Sequence, residues 1–201
     1  MSVVASRPAP RAWAAMATAL ALGALALWFA PRELLDWQAA LAWSQPWRLW
    51  TAAWVHLSPL HLQANLLGCA VVGMFGIMAR VPRHAVWAWL AAWPLTHAAL
   101  AVQMQLRHYA GLSGLLHAGV AVAAWDLAWR RDGRQRAIGV AVLAGLALKL
   151  ALEQPWLGPT QAVPGWDIPI VPLAHLTGAV AGIVCGVVAH ALAGRREASL
   201  G

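Results

Sequence analysis

Apolar residues in this chain fall in long unbroken runs, without the one-sided stripe of a surface helix or the alternation of a half-buried strand. Six runs stand out, at residues 12–30, 60–79, 85–106, 111–129, 137–152 and 173–193. A helix that is apolar all round has no face to give to water, and about 20 such residues cross the hydrocarbon core of a bilayer. Most of the six reach that length. The fifth is short and carries Lys149 near its end, where an aliphatic stem can lift the ammonium to the interface. The first run exceeds the roughly 7–15 apolar residues of a signal peptide, and no convincing cleavage site follows it, so it reads as a retained helix. The pattern predicts an all-α, polytopic membrane protein built as a six-transmembrane-helix bundle. One domain is expected over residues 1–201, with its core at about 12–193 and a short tail at each end.

Two connections depart from ordinary loops. Residues 31–59 are rich in Trp and too apolar for a solvated linker, which predicts a partly helical segment lying in the membrane interface. Residues 153–172 carry Pro and Gly throughout, with Trp156 and Trp166, which predicts an irregular, mobile cap.

Composition agrees with a lipid solvent. The chain is 61% hydrophobic and 10% charged, against about 25% charged in soluble domains. Its 14 Trp, set against one Tyr and two Phe, cluster near the ends of the apolar runs, as amphipathic rings do at membrane interfaces. The net charge of +7 is spread between the runs and builds no basic face, which argues against nucleic acid as a partner. With a cytoplasmic N-terminus, Arg7, Arg11 and the Arg130, Arg131, Arg134 and Arg136 cluster fall on the inner side, together with Arg80, Arg83, Arg195 and Arg196. Only Arg32, Arg48, Arg107 and Lys149 fall outside. That asymmetry predicts both termini in the cytoplasm. Cys69 and Cys185 lie within apolar runs as small core residues, with no support for a disulfide or a paired-cysteine metal motif.

Polar side chains inside membrane helices are costly, so each needs a reason. His61 and Asn65 open the second run, Ser113 and His117 the fourth, and His175 the sixth. In a six-helix topology these three runs all enter from the outer side, which puts the five residues at similar depth. A serine needs a neighbouring base to become a nucleophile, and histidine is the usual partner. Ser113 stands in GLSGLLHAG between Gly111 and Gly114, where backbone and substrate can approach closely and a helix N-terminus offers free N–H groups to an oxyanion. His61 and Asn65 are one turn apart and share a face, so both can donate to one oxygen. His117 lies one turn below Ser113, placed to pack against an imidazole from the sixth run. No carboxylate is expected near that imidazole: Asp126 falls at the inner end of the fourth run and Asp167 in the cap. A Ser–His dyad is therefore expected. Gly178, Gly182 and Gly186 form a small-residue row that predicts close packing of the sixth helix. His56, His97 and His190 read as structural or interfacial, and Arg48 after Trp47 as a headgroup anchor.

Taken in order, these motifs resemble the rhomboid family of intramembrane serine proteases. QPWRLWTAAWVHLSPLHLQANLLG is similar to the family's Trp-Arg pair followed by HxxxN, GLSG to its serine motif, and AHLTGAVAG to its AHxxGxxxG histidine motif. The resemblance spans residues 45–186 and implies a rhomboid-like bundle. It also implies Ser113 as nucleophile, His175 as general base, and His61 and Asn65 in the oxyanion hole, with no metal or cofactor. The implied substrates are membrane-anchored proteins with a transmembrane helix, cut near the outer surface of a cell membrane. Many rhomboids carry Tyr four residues after the serine. The His117 found here is similar to rhombosortases, a bacterial inner-membrane subgroup thought to process C-terminal Gly-Gly sorting signals. The alternatives are a general rhomboid protease with other substrates and an inactive, client-binding relative. A histidine-ligated metal or haem protein would leave Ser113 between its glycines without a purpose.

Overall fold

The structure is a computed structural model that describes residues 8–130 and 132–198; Arg7 and Arg131 of the charge pattern lie outside the described residues. Among the described residues six long helices carry the fold: α1 (Pro10–Ala26), α4 (Pro59–Met78), α5 (Arg83–Ala98), α6 (Ser113–Ala128), α7 (Gly133–Glu153) and α8 (Pro172–Ala198). Two single-turn helices, α2 (Arg32–Leu35) and α3 (Arg48–Thr51), lie in the first long loop. By length and composition four segments can cross a membrane, namely Pro59–Met78, Arg83–Val102, Gly133–Glu153 and Pro172–Arg195, while Ser113–Ala128 is a shorter apolar helix. The protein is a multi-pass, mostly helical membrane protein.

Helix boundaries differ from expectation where local chemistry intervenes. The first helix stops at Ala26 rather than at residue 30. The third passes through Pro94 and tightens into a 3-10 turn at Ala99–Val102. The fifth starts at Gly133, where the Asp132 carboxylate accepts from Gln135 N–H at 2.8 Å, and runs through Glu153 until Gln154 adopts a left-handed conformation.

α6 is the axis of the bundle. It lies against α8, α7, α5 and α4, and most of its residues are buried. A side chain on Gly178 would overlap the Gly114 carbonyl, and a Cβ on Gly182 would sit 2.5 Å from Ala118 O. Backbone therefore meets backbone along the α6–α8 seam. On the other side Trp13 stacks on Trp89, with ring centroids 4.4 Å apart, and donates its indole N–H to Val72 O at 2.9 Å. α7 is the outlier: 17% of its spanning window is buried, against 39–44% in the other three spans. It hardly touches α4.

The first loop is folded rather than merely interfacial. Arg48, 3% exposed, is not the headgroup anchor expected. Its guanidinium pairs with Asp36 at 3.1 Å and donates to the carbonyls of Asp36 and Glu33 and to Gln45 Oε1. A buried guanidinium has to find such partners, because an unpaired one would cost several kcal/mol, about 3–5 for a broken buried pair. Asp36 leads into β1 (Trp37–Gln38), which pairs antiparallel with β2 (His108–Tyr109), so the loop is laced to the strand that precedes Ser113. The cap between α7 and α8 is tied as well. Ser58 Oγ donates to Asp167 at 2.8 Å, and Gln161 and Ile170 exchange two backbone hydrogen bonds.

Candidate active site

Three helices begin at one place. Ser113 is the first residue of α6, His175 lies in the first turn of α8, and His61 and Asn65 open α4. Ser58 starts α4 as an N-cap, its hydroxyl accepting from His61 N–H at 3.1 Å, with Pro59 in the first turn. The α6–α8 seam carries the His175 imidazole to Ser113, with Nε2 3.1 Å from Ser113 Oγ. One face of that ring stacks on His117, with centroids 4.2 Å apart and planes 14° from parallel. His117 Nδ1–H donates to Ser113 O at 2.6 Å, which fixes its orientation.

The loop before Ser113 is set by two residues. Gly111 has φ +120, a conformation that only glycine adopts freely, and a Cβ there would lie 2.6 Å from His61 Nε2 and 3.7 Å from Asn65 Nδ2. Tyr109, a residue sequence reasoning missed, braces the same turn: its phenol donates to Gly111 O at 3.0 Å and accepts from Gly114 N–H at 3.3 Å. Burial pushes the Tyr109 phenol above its ordinary value, so it stays a proton-bearing donor. It is the chain's single tyrosine, two positions before a glycine that must turn, and that was the available signal.

The polar face of α4 is oriented too. Leu57 N–H donates to His61 Nδ1 at 3.3 Å, so the proton of the neutral ring sits on Nε2, the atom nearest Gly111. Asn65 uses one amide hydrogen on His61 O at 3.0 Å and has a second to offer. Two N–H groups thus meet at the turn that leads into Ser113. His56 packs on His61 with centroids 4.9 Å apart, and burial lowers it to about 4, which keeps it neutral beside the site.

One expectation fails. A carboxylate does reach the imidazole: Glu153 Oε2 lies 2.8 Å from His175 Nδ1, and its other oxygen takes Lys149 Nζ at 2.6 Å. Placing Glu153 in the cap instead of in the last turn of α7 hid it. The Lys149–Glu153 spacing of four residues was the readable sign. Asp167 instead latches the cap to Ser58, and Asp126 pairs with Arg130 at 2.6 Å far from the serine.

Ser113, His175, His117, Glu153, His61 and Asn65 all line a cavity of about 970 Å³. From there it runs between α4 and α7 past Val71, Val142 and Gly145, where a Cβ on Gly145 would meet nothing within 4 Å. An apolar groove with a polar end suits an extended apolar chain whose reacting bond must meet a nucleophile. Among the described residues the one metal-like cluster is elsewhere, at His84, Asp126 and His190. The site histidines are instead committed to serine, carboxylate and backbone partners.

No curated protein matches the chain. The Rhomboid domain family model matches residues 43–192, from the first loop through most of α8, and takes in every residue of the site. The chain belongs to the rhomboid family, whose members are generally intramembrane serine proteases.

Proposed function

We propose that this protein is an intramembrane serine endopeptidase that cleaves single-span membrane proteins near the outer surface, with Ser113 as nucleophile and His175 as general base. The observation that carries the reading is the 3.1 Å approach of His175 Nε2 to Ser113 Oγ, beside a glycine turn faced by His61 and Asn65. A substrate segment unwinds into the groove and Ser113 attacks its carbonyl carbon. The oxyanion is held by His61 Nε2–H, Asn65 Nδ2–H and the Ser113 N–H, which is free at the start of α6. Gly111 and Gly114 keep that space open, while Gly178 and Gly182 hold α8 against α6. Side chains and one backbone N–H of this chain supply every catalytic group, so no cofactor enters the scheme.

The same reading places the whole chain in one domain of a bacterial inner membrane. Both termini are then cytoplasmic and the site opens to the periplasm, following the arginine asymmetry. Rhombosortase activity on C-terminal Gly-Gly sorting signals is the substrate class we favour, supported by His117 stacked on the catalytic imidazole where many relatives carry Tyr. A general rhomboid protease differs only in substrate, and a paired reporter set with and without a Gly-Gly motif before the helix separates the two.

The test is labelling of detergent-solubilised protein with a fluorophosphonate. Wild type is expected to label and Ser113→Ala not to. Folded wild-type protein that stays unlabelled, beside an active rhomboid that labels, would replace this reading with an inactive client-binding relative. Asn65→Ala is expected to cost about 10²–10³ in kcat, the worth of one oxyanion donor elsewhere. Full activity in that variant would remove Asn65 from the hole.

A further inference from the structure

We infer that Glu153 is a third member of the catalytic group, a positioning residue that holds the His175 ring in its working tautomer and stabilises it when protonated. The inference rests on the protease reading above and deepens it from a dyad to a Ser–His–Glu relay. With Glu153 Oε2 2.8 Å from Nδ1, the ring's proton belongs on Nδ1, and the Nε2 lone pair faces Ser113 Oγ. His175 is then fixed on three sides, by the carboxylate, by the serine and by the stacked His117.

The placement of Glu153 runs against local preference. It ends an apolar helix, where the carbonyl end of the helix dipole disfavours a negative charge and lipid disfavours any charge. Local rules broken in this way mark functional positions. The surroundings hold the carboxylate in place. Lys149 takes its second oxygen, Gln154 in the left-handed conformation ends the helix directly after it, and Gln161 Nε2 donates to the carbonyls of Glu153 at 2.8 Å and Gln154 at 3.1 Å. The carboxylate is 19% exposed, enough shielding for its attraction to a protonated ring to count.

The proton path then closes. As the Ser113 Oγ–carbon bond forms, the Oγ proton passes to His175 Nε2, and the imidazolium keeps its Nδ1–H on the Glu153 carboxylate, which stays ionised. The same Nε2 proton goes to the leaving amine as the C–N bond breaks, giving the acyl-serine and the released amine. Water next attacks the acyl carbon, gives its proton to Nε2, and that proton returns to Ser113 as the acid product leaves. Glutamine at position 153 can offer an N–H to Nδ1, which would favour the tautomer with its proton on Nε2, facing the serine.

The experiment measures fluorophosphonate labelling rates of the purified full chain over a range of probe concentrations, with thermal unfolding of each variant alongside. Glu153→Gln is expected to lower the maximal labelling rate about 10²–10⁴-fold. Its half-saturating probe concentration should stay within about twofold of wild type, as for a group that acts on the transition state. Glu153→Asp should recover about tenfold or more of the loss, since it restores an acceptor and not a shape. An unchanged maximal rate in Glu153→Gln, with wild type labelling normally, would overturn the relay and leave the dyad. So would a loss that Asp does not repair and that follows a lower unfolding temperature. Wild-type protein that never labels would instead remove the protease reading itself.

Discussion

A His175→Ala protein is expected to fold and to cleave nothing measurable. Without the imidazole the Ser113 hydroxyl has no base at 3.1 Å, and the other histidine beside it, His117, has Nδ1 committed to Ser113 O. A neutral serine hydroxyl is a poor nucleophile, and removing serine or histidine from comparable relays costs about 10⁶ in kcat. The fold should survive, because the glycine seam between α6 and α8 holds that end together without the ring. Losing the stacked, 8% exposed side chain should cost about 1–3 kcal/mol of stability. Parallel measurement of turnover, fluorophosphonate labelling and thermal unfolding checks this. Wild-type labelling in His175→Ala would mean that another group activates the serine.

Gly178→Ala should cripple the enzyme although it adds one methyl group and removes no catalytic side chain. The new Cβ would overlap the Gly114 carbonyl, and backbone cannot swing aside as a side-chain end can. α8 has to move away from α6, and His175, one turn earlier on α8, moves with it. A displacement of about 1 Å at such a site costs about 10² in rate, and overpacking of this kind about 1–3 kcal/mol in stability. Gly186→Ala is the control, since its nearest neighbour is the Trp125 ring edge at 3.2 Å, which can yield. Equal labelling rates in the two variants would show that the seam does not set the geometry of the pair.

Much of this was written in the sequence, for physical reasons that also say where legibility ended. Long apolar runs made the helices plain, because lipid demands them and loops cannot hide in it. The cluster of Ser113, His175, His61 and Asn65 was visible because polar groups in apolar runs stand out, and because alternate helices must start on the same side. Glu153 left one sign, its spacing of four from Lys149, but a single residue decided whether it belonged to a helix or to a cap, and helix ends are set by details such as the left-handed Gln154. Arg48 beside Trp47 looked like an interfacial anchor. Its burial depends on Asp36, 12 residues away, and on a loop fold that no local pattern announces. Tyr109 left only the sign of a lone tyrosine just before Gly111, since its role lies in two hydrogen bonds to a turn that the fold has to build.

The position of Glu153 at the end of α7 ties the place of one helix to the setting of the base. α7 is the least buried of the four candidate spans, and it lines the cavity across from α4. The carboxylate that steadies the base rides on that same helix, at hydrogen-bond distance from His175 only while the helix stands where it does here. A shift of α7 by about 1 Å toward lipid would stretch that bond past useful length. Any change that displaces α7 would therefore act on the base as well as on the groove it lines.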